Sequence, residues 1–135
     1  MTHYNLSVNQ YMLIKQISSL CLPMEACGLL GEKKGKTGGG SLKVFPIRNF
    51  SKKKNAFKIS KNDFLKNYKI AEYEGYQIVG CFHSHPDNIA SPSSRDISLS
   101  KKNPYKLWLI FSVKYNQVNL FYMSNLPAKI KLTIR

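Results

Sequence analysis

Arginine, acidic residues, paired cysteines and long apolar runs are all scarce in this sequence of 135 residues. Only Arg48, Arg95 and Arg135 are arginines among the 21 basic residues, and just 7 acids oppose them, leaving a net charge of +14. Such an excess invites a nucleic acid, a membrane surface or an acidic protein. Base and phosphate recognition favours the forked guanidinium, so a chain whose cations are lysines argues against nucleic acid as the main partner. The lysines gather at expected turns (Lys33-Lys34, Lys52 to Lys54, Lys101-Lys102) and read as solvating surface. Three cysteines, Cys21, Cys27 and Cys81, form neither a disulfide framework nor a CxxC pair, which points to a reducing compartment. The most apolar amino-terminal stretch, Tyr11 to Leu22, is broken by Lys15, Gln16, Ser18 and Ser19. It suits neither a signal peptide nor a membrane span, so a soluble cytoplasmic protein is expected.

What is present is globular: 43% apolar residues, with eight Tyr, seven Phe and one Trp. The length fits one domain over 1–135 and excludes a TIM barrel, which needs about 250 residues. Ser7 can cap a helix whose Val8, Tyr11, Ile14, Ile17 and Cys21 recur at helical spacing until Pro23. Ala26 to Glu32 and Leu42 to Phe50 read as two strands of a hairpin, joined by a Lys/Gly loop ending in Gly38-Gly39-Gly40. A weak strand is predicted at Ala56 to Ile59, and a second helix over Asn62 to Glu74 ending at Gly75. Tyr76 to His85 follows as a strand, Ser93 to Ser100 as a short helix, and three strands finish the chain. Of these, Tyr105 to Val113 is apolar enough to be central, whereas Val118, Leu120, Tyr122 and then Ile130, Leu132, Ile134 alternate.

The chemistry is concentrated in His83-Ser84-His85-Pro86-Asp87-Asn88-Ile89-Ala90-Ser91-Pro92-Ser93-Ser94-Arg95-Asp96. On a strand, residues i and i+2 project from one face about 6.6 Å apart, so His83 and His85 can reach one metal while Ser84 points away. A carboxylate from a following helix would add a third ligand. A His₂Asp set suits zinc with one position left for water, as in catalytic sites. Two histidines at a strand end are also ordinary partly buried side chains, and HxHxD with Asp87 begins like a metallo-β-lactamase motif, although position 88 is Asn.

The segment resembles the JAMM, or MPN-plus, metalloproteases, marked by an upstream Glu and then H-[S/T]-H-P-x₆-S-x-x-D. His83 and His85 match the histidines, Ser93 the serine and Asp96 the aspartate. The run Pro23-Met24-Glu25-Ala26-Cys27-Gly28-Leu29-Leu30 is similar to the family's Glu-bearing segment. The resemblance implies an α/β MPN fold of the cytidine-deaminase-like kind, a central mixed β-sheet flanked by helices. It also implies one zinc held by His83, His85 and Asp96, whose bound water is the nucleophile. Glu25 would then move the proton and Ser93 would donate to the oxyanion. Ser93-x-x-Asp96 is in addition a helix-start pattern, and capping would fix both side chains. Cys81 shares strand parity with His83 and invites consideration as a fourth ligand, but a buried core cysteine is the commoner outcome.

The implied activity, deubiquitinase-like, is hydrolysis of a peptide or isopeptide bond after the terminal glycine of a ubiquitin-like or sulfur-carrier protein. Eight residues between Asp96 and Tyr105 leave no room for the later insertion that grips ubiquitin in eukaryotic members, so the compact prokaryotic branch fits better. A Gly-Gly tail would lie along an exposed strand edge, and the lysines would attract an acidic carrier. An inactive scaffold of the same fold, whose ligands are normally missing, and a basic nucleic-acid-binding module are the other two readings.

Overall fold

The computed structural model describes residues 3–35 and 40–135. Strand β1 (His3–Leu6) leads into helix α1 (Val8–Leu20), which begins where the Ser7 side chain accepts from the Gln10 amide. Strands β2 (Cys27–Lys33) and β3 (Ser41–Ile47) pair antiparallel as the expected hairpin. Gly38 and Gly39 of its predicted loop lie outside the described residues. Helix α2 (Lys61–Tyr73), capped by Ser60, ends before Gly75, whose φ of +87° favours glycine. Strand β4 (Tyr76–His85) and the short helix α3 (Ser94–Ser100) frame the histidine segment. Strands β5 (Leu107–Ser112), β6 (Gln117–Tyr122) and β7 (Ala128–Ile134) complete the order.

The strands form one mixed sheet in the order β1-β3-β2-β4-β5-β6-β7, and β7 returns to pair with β1 so that the sheet closes. Two expectations change. Ala56 to Ile59 joins no strand: the Asn49 side chain takes the Ala56 carbonyl and the Lys58 amide, and the Phe50 amide takes the Lys58 carbonyl. Strand β1 was not expected; four residues are too short for a periodic signal, and parallel pairing with β3 and β7 holds it in place.

Alternation along β4 and β5 sorts the core into two faces. Phe82, Leu107, Leu109 and Phe111 pack with Ile14 of α1 and Leu30, Val44 and Leu120. Cys81, Trp108 and Ile110 point the other way, packing with Ala90 and Ile97 on the side of α3. Alpha-2 covers that same outer face further along, through Ala71 against Leu29, Phe45 and Ile78. Strand parity therefore delivers His83 and His85 to the face lined by Cys81 and Trp108. Strands β4 and β5 approach so closely that a Cβ on Gly80 would run into the Leu107 carbonyl. No helix among the described residues is long and apolar enough to cross a membrane.

Candidate metal centre

Three elements converge on the site. Cys27 of β2 lies opposite His83 of β4, and continuing that antiparallel register sets Glu25 opposite His85. The Ser84 amide donates to the Ala26 carbonyl (3.0 Å) and the Ala26 amide to the Ser84 hydroxyl (2.8 Å), locking the two chains beyond the end of β2. Ser84, which faces away from the histidines, thus fixes the backbone that presents Glu25. Alpha-3 supplies the remaining groups through a capping box: the Asp96 amide donates to Ser93 Oγ (3.1 Å), and the Ser93 amide donates to Asp96 Oδ2 (3.0 Å). The Ser93 hydroxyl accepts in this box, so its own proton stays available for another partner.

The structure brings His83, His85 and Asp96 together as buried donors. His83 Nε2 and His85 Nε2 are 3.2 Å apart, and Asp96 Oδ1 and Oδ2 lie 3.1 Å from them respectively. Ligand atoms ~2.0–2.1 Å from a tetrahedral zinc stand ~3.3 Å from one another, so the spacing fits that ion. The His85 Nδ1–H donates to the Ile89 carbonyl (2.9 Å), which leaves its Nε2 lone pair toward the cluster. His83 Nδ1 has no hydrogen-bond partner among the described residues. Its ring is instead held by packing, stacked on Phe57 at 4.6 Å and set edge-on to Trp108 at 5.6 Å.

Burial lowers the pKa of His83. The same burial effect on His85 is outweighed by its hydrogen bonds with Asp96 and the Ile89 carbonyl, which raise it. Asp96 is also desolvated, yet the two histidines and the Ser93 amide hold it well below the usual carboxylate range. Glu25 is different. It is 6% exposed, and burial pushes its pKa up to about 7 against the pull of His85. Its Oε1 has no partner among the described residues. Together with Asn55, His85, Asp87 and Ser93 it lines a cleft of about 50 Å³.

Cys81 stands outside the donor cluster, in the core with Ala90, Trp108 and Ile110, and burial raises its thiol pKa. Cys27 is buried too, its thiol pushed up to about 12. Asp87 is exposed and contributes no donor, as the metallo-β-lactamase pattern would require. Two residues escape sequence reasoning. Asn49 donates to the carbonyls of Glu25 (2.9 Å) and Ala56 (3.0 Å) and accepts from the amides of Ser51 (2.9 Å) and Lys58 (3.0 Å). It ties the backbone of Glu25 to the segment bearing Phe57, the second residue missed. An asparagine after a strand and a lone phenylalanine among lysines give no signal of this kind in a sequence.

Comparisons with known proteins agree with this architecture. A solution structure from Desulfitobacterium hafniense is similar over 98% of this chain and 92% of its own, with a TM-score of 0.87 and 25% identity. A JAB1/MPN domain protein from Archaeoglobus fulgidus matches over 96% of this chain and 98% of its own, with a TM-score of 0.58 and 18% identity. The fold is accordingly of the JAB1/MPN class, an α/β mixed sheet with three helices. A desampylase of Pyrococcus furiosus is 34% identical over 102 residues, 76% of this chain and 68% of that protein. With residues 13–124 matching the model of the prokaryotic homologs of the JAB domain, the chain belongs to that family.

Proposed function

We propose that the protein is a zinc metalloprotease of JAMM type, with residues 1–135 forming one catalytic domain. On this reading it hydrolyses a peptide or isopeptide bond after the terminal glycine of a ubiquitin-like or sulfur-carrier protein. The observation that carries the reading is the buried His83-His85-Asp96 donor set, spaced at 3.1–3.2 Å, beside a carboxylate oxygen of Glu25 that has no partner among the described residues. The desampylase relative supports the substrate class.

His83, His85 and Asp96 would hold one zinc. Bound there, zinc supplies Lewis acidity toward a carbonyl oxygen and makes water more acidic. Glu25, buried beside the donors, takes a proton from water and returns it to the leaving amine. Ser93 directs its free hydroxyl proton at the carbonyl oxygen as charge develops; one such donor is worth about 3 kcal/mol of barrier. Asn49 and Ser84 hold the Glu25 backbone without touching substrate. Every strand of the closed sheet has a neighbour on both sides. Yet β1 covers only Ser41 and Leu42 of β3, so the rest of that strand, 43–47, has no strand neighbour on one side and offers the edge along which an extended tail would lie.

The test is zinc per chain in protein purified without added metal. About one zinc is expected, lost in His83→Ala and in Asp96→Ala; Glu25→Ala should keep zinc and fold while cleavage of a Gly-Gly-linked fusion disappears. A folded wild type that cannot be loaded with zinc would instead make the protein an inactive scaffold.

A further inference from the structure

A groove of about 490 Å³ opens on the outer face of the sheet, between the start of α2, the end of α3 and the loop at 103–105. Its size is typical of binding clefts, and its walls are largely apolar, with Phe57, Leu99 and Trp108 among them. The Phe57 and Trp108 rings are those that pack on His83, so the groove runs up to the back of the metal donors. Three cations line it, Lys58, Lys61 and Lys102, and no acidic residue does. The lysine and arginine ion pairs among the described residues lie elsewhere, at Lys34–Glu72, Lys43–Glu74 and Arg48–Asp63.

We propose that this groove binds the stretch of the substrate polypeptide beside the scissile bond, and that it selects large aliphatic residues flanked by Asp or Glu. The inference rests on the hydrolytic reading for the nature of the occupant and on groove chemistry for its selectivity. Apolar walls reward burial of aliphatic side chains. Lysines at the same groove attract carboxylates and repel a lysine- or arginine-rich tail, so charge discriminates between tails of equal apolar content. Phe57 of the groove lies two residues along the chain from Asn55 of the Glu25–Ser93 cleft, so a polypeptide that crosses this segment can lie in the groove with its amide at the cleft, and the apolar, cationic walls fit a peptide of aliphatic and acidic side chains.

Trp108 is the only tryptophan in the chain and lines the groove, so its emission reports occupancy without any turnover. The probes are two peptides without aromatic residues, acetyl-Glu-Leu-Asp-Leu-Gly-Gly and acetyl-Lys-Leu-Lys-Leu-Gly-Gly, titrated into zinc-loaded protein at low and high salt. Saturable binding of the acidic peptide, at least about tenfold tighter than the basic one and weakening with salt, is expected. K61E/K102E should abolish or invert the preference, whereas K129E/K131E on β7 should leave it unchanged. Equal affinities, a preference insensitive to K61E/K102E, or no saturation by the acidic peptide at about 1 mM would overturn the proposal. Tight binding of the acidic peptide with no cleavage of its carboxy-terminal amide-linked fluorophore would count against the hydrolytic reading and leave the groove assignment standing.

Discussion

Glu25 pairs burial with the absence, among the described residues, of a hydrogen-bond partner for one of its oxygens. Its pKa stands at about 7 in the folded chain against 4.5 as the ordinary value, so the native state holds a proton that the unfolded state has lost between those pH values. Stability of the metal-free protein is therefore fullest below about pH 4.5 on account of this group, and falls as pH rises through about 7. The difference amounts to something on the order of 3 kcal/mol. Glu25→Gln should flatten this slope and leave the metal-free protein more stable at pH 8 than the wild type, in denaturant titrations across pH 4–8. An unchanged slope would show that Glu25 is already ionised in the fold. The lost stability is the thermodynamic counterpart of a base able to exchange protons at neutral pH.

On the proposed reading, helix α3 does two jobs with one capping box. Ser93→Ala removes the cap and the hydroxyl together, with an expected loss of about 1 kcal/mol in stability and about 100-fold in kcat. Ser93→Gly keeps most of the cap's stability, at a cost of only a few tenths of a kcal/mol, but has no side-chain donor, so it should retain thermal stability while turnover stays low; near-normal turnover in it would make Ser93 a cap alone. The segment that precedes α2 depends on Asn49 in a similar way. Asn49→Ala leaves the carbonyls of Glu25 and Ala56 without their donor and should cost about 1–3 kcal/mol, read by chemical denaturation. The elements themselves were largely legible because their signals are local. Alpha-1 and α2 announce themselves by cap residue and periodicity, and the ten residues Tyr76–His85 form the strand their apolar run predicts. The candidate donor cluster was legible for the same reason: His83, His85 and Asp96 fall within fourteen positions, on one strand end and one helix start. What stayed hidden depends on residues distant in sequence. The pairing of β1 with β7, the Asn49 link to Glu25 and the Phe57 stack on His83 are set by tertiary contacts, and no window along the chain contains both partners.

At the scale of the whole molecule, metal and fold should be coupled. Three buried donors 3.1–3.2 Å apart contact one another, and an ion bound among them would hold the fold around them together. Free zinc at about 100 times its Kd adds about 2.7 kcal/mol to the native state, a rise in Tm on the order of 10 °C for a chain of this size. Differential scanning calorimetry with and without a chelator measures it, and His85→Ala should show no such shift. The ring of strands has a consequence of another kind. Its seam joins His3 to Lys131 and Leu6 to Ile134, residues well over a hundred positions apart, so it is the slowest contact for a searching chain to find. Until it forms, β3 and β7 each expose an unsatisfied backbone edge, the surface on which strands of separate molecules join. A variant that weakens β1 would therefore betray itself by aggregation during refolding, while the distant metal donors remain intact.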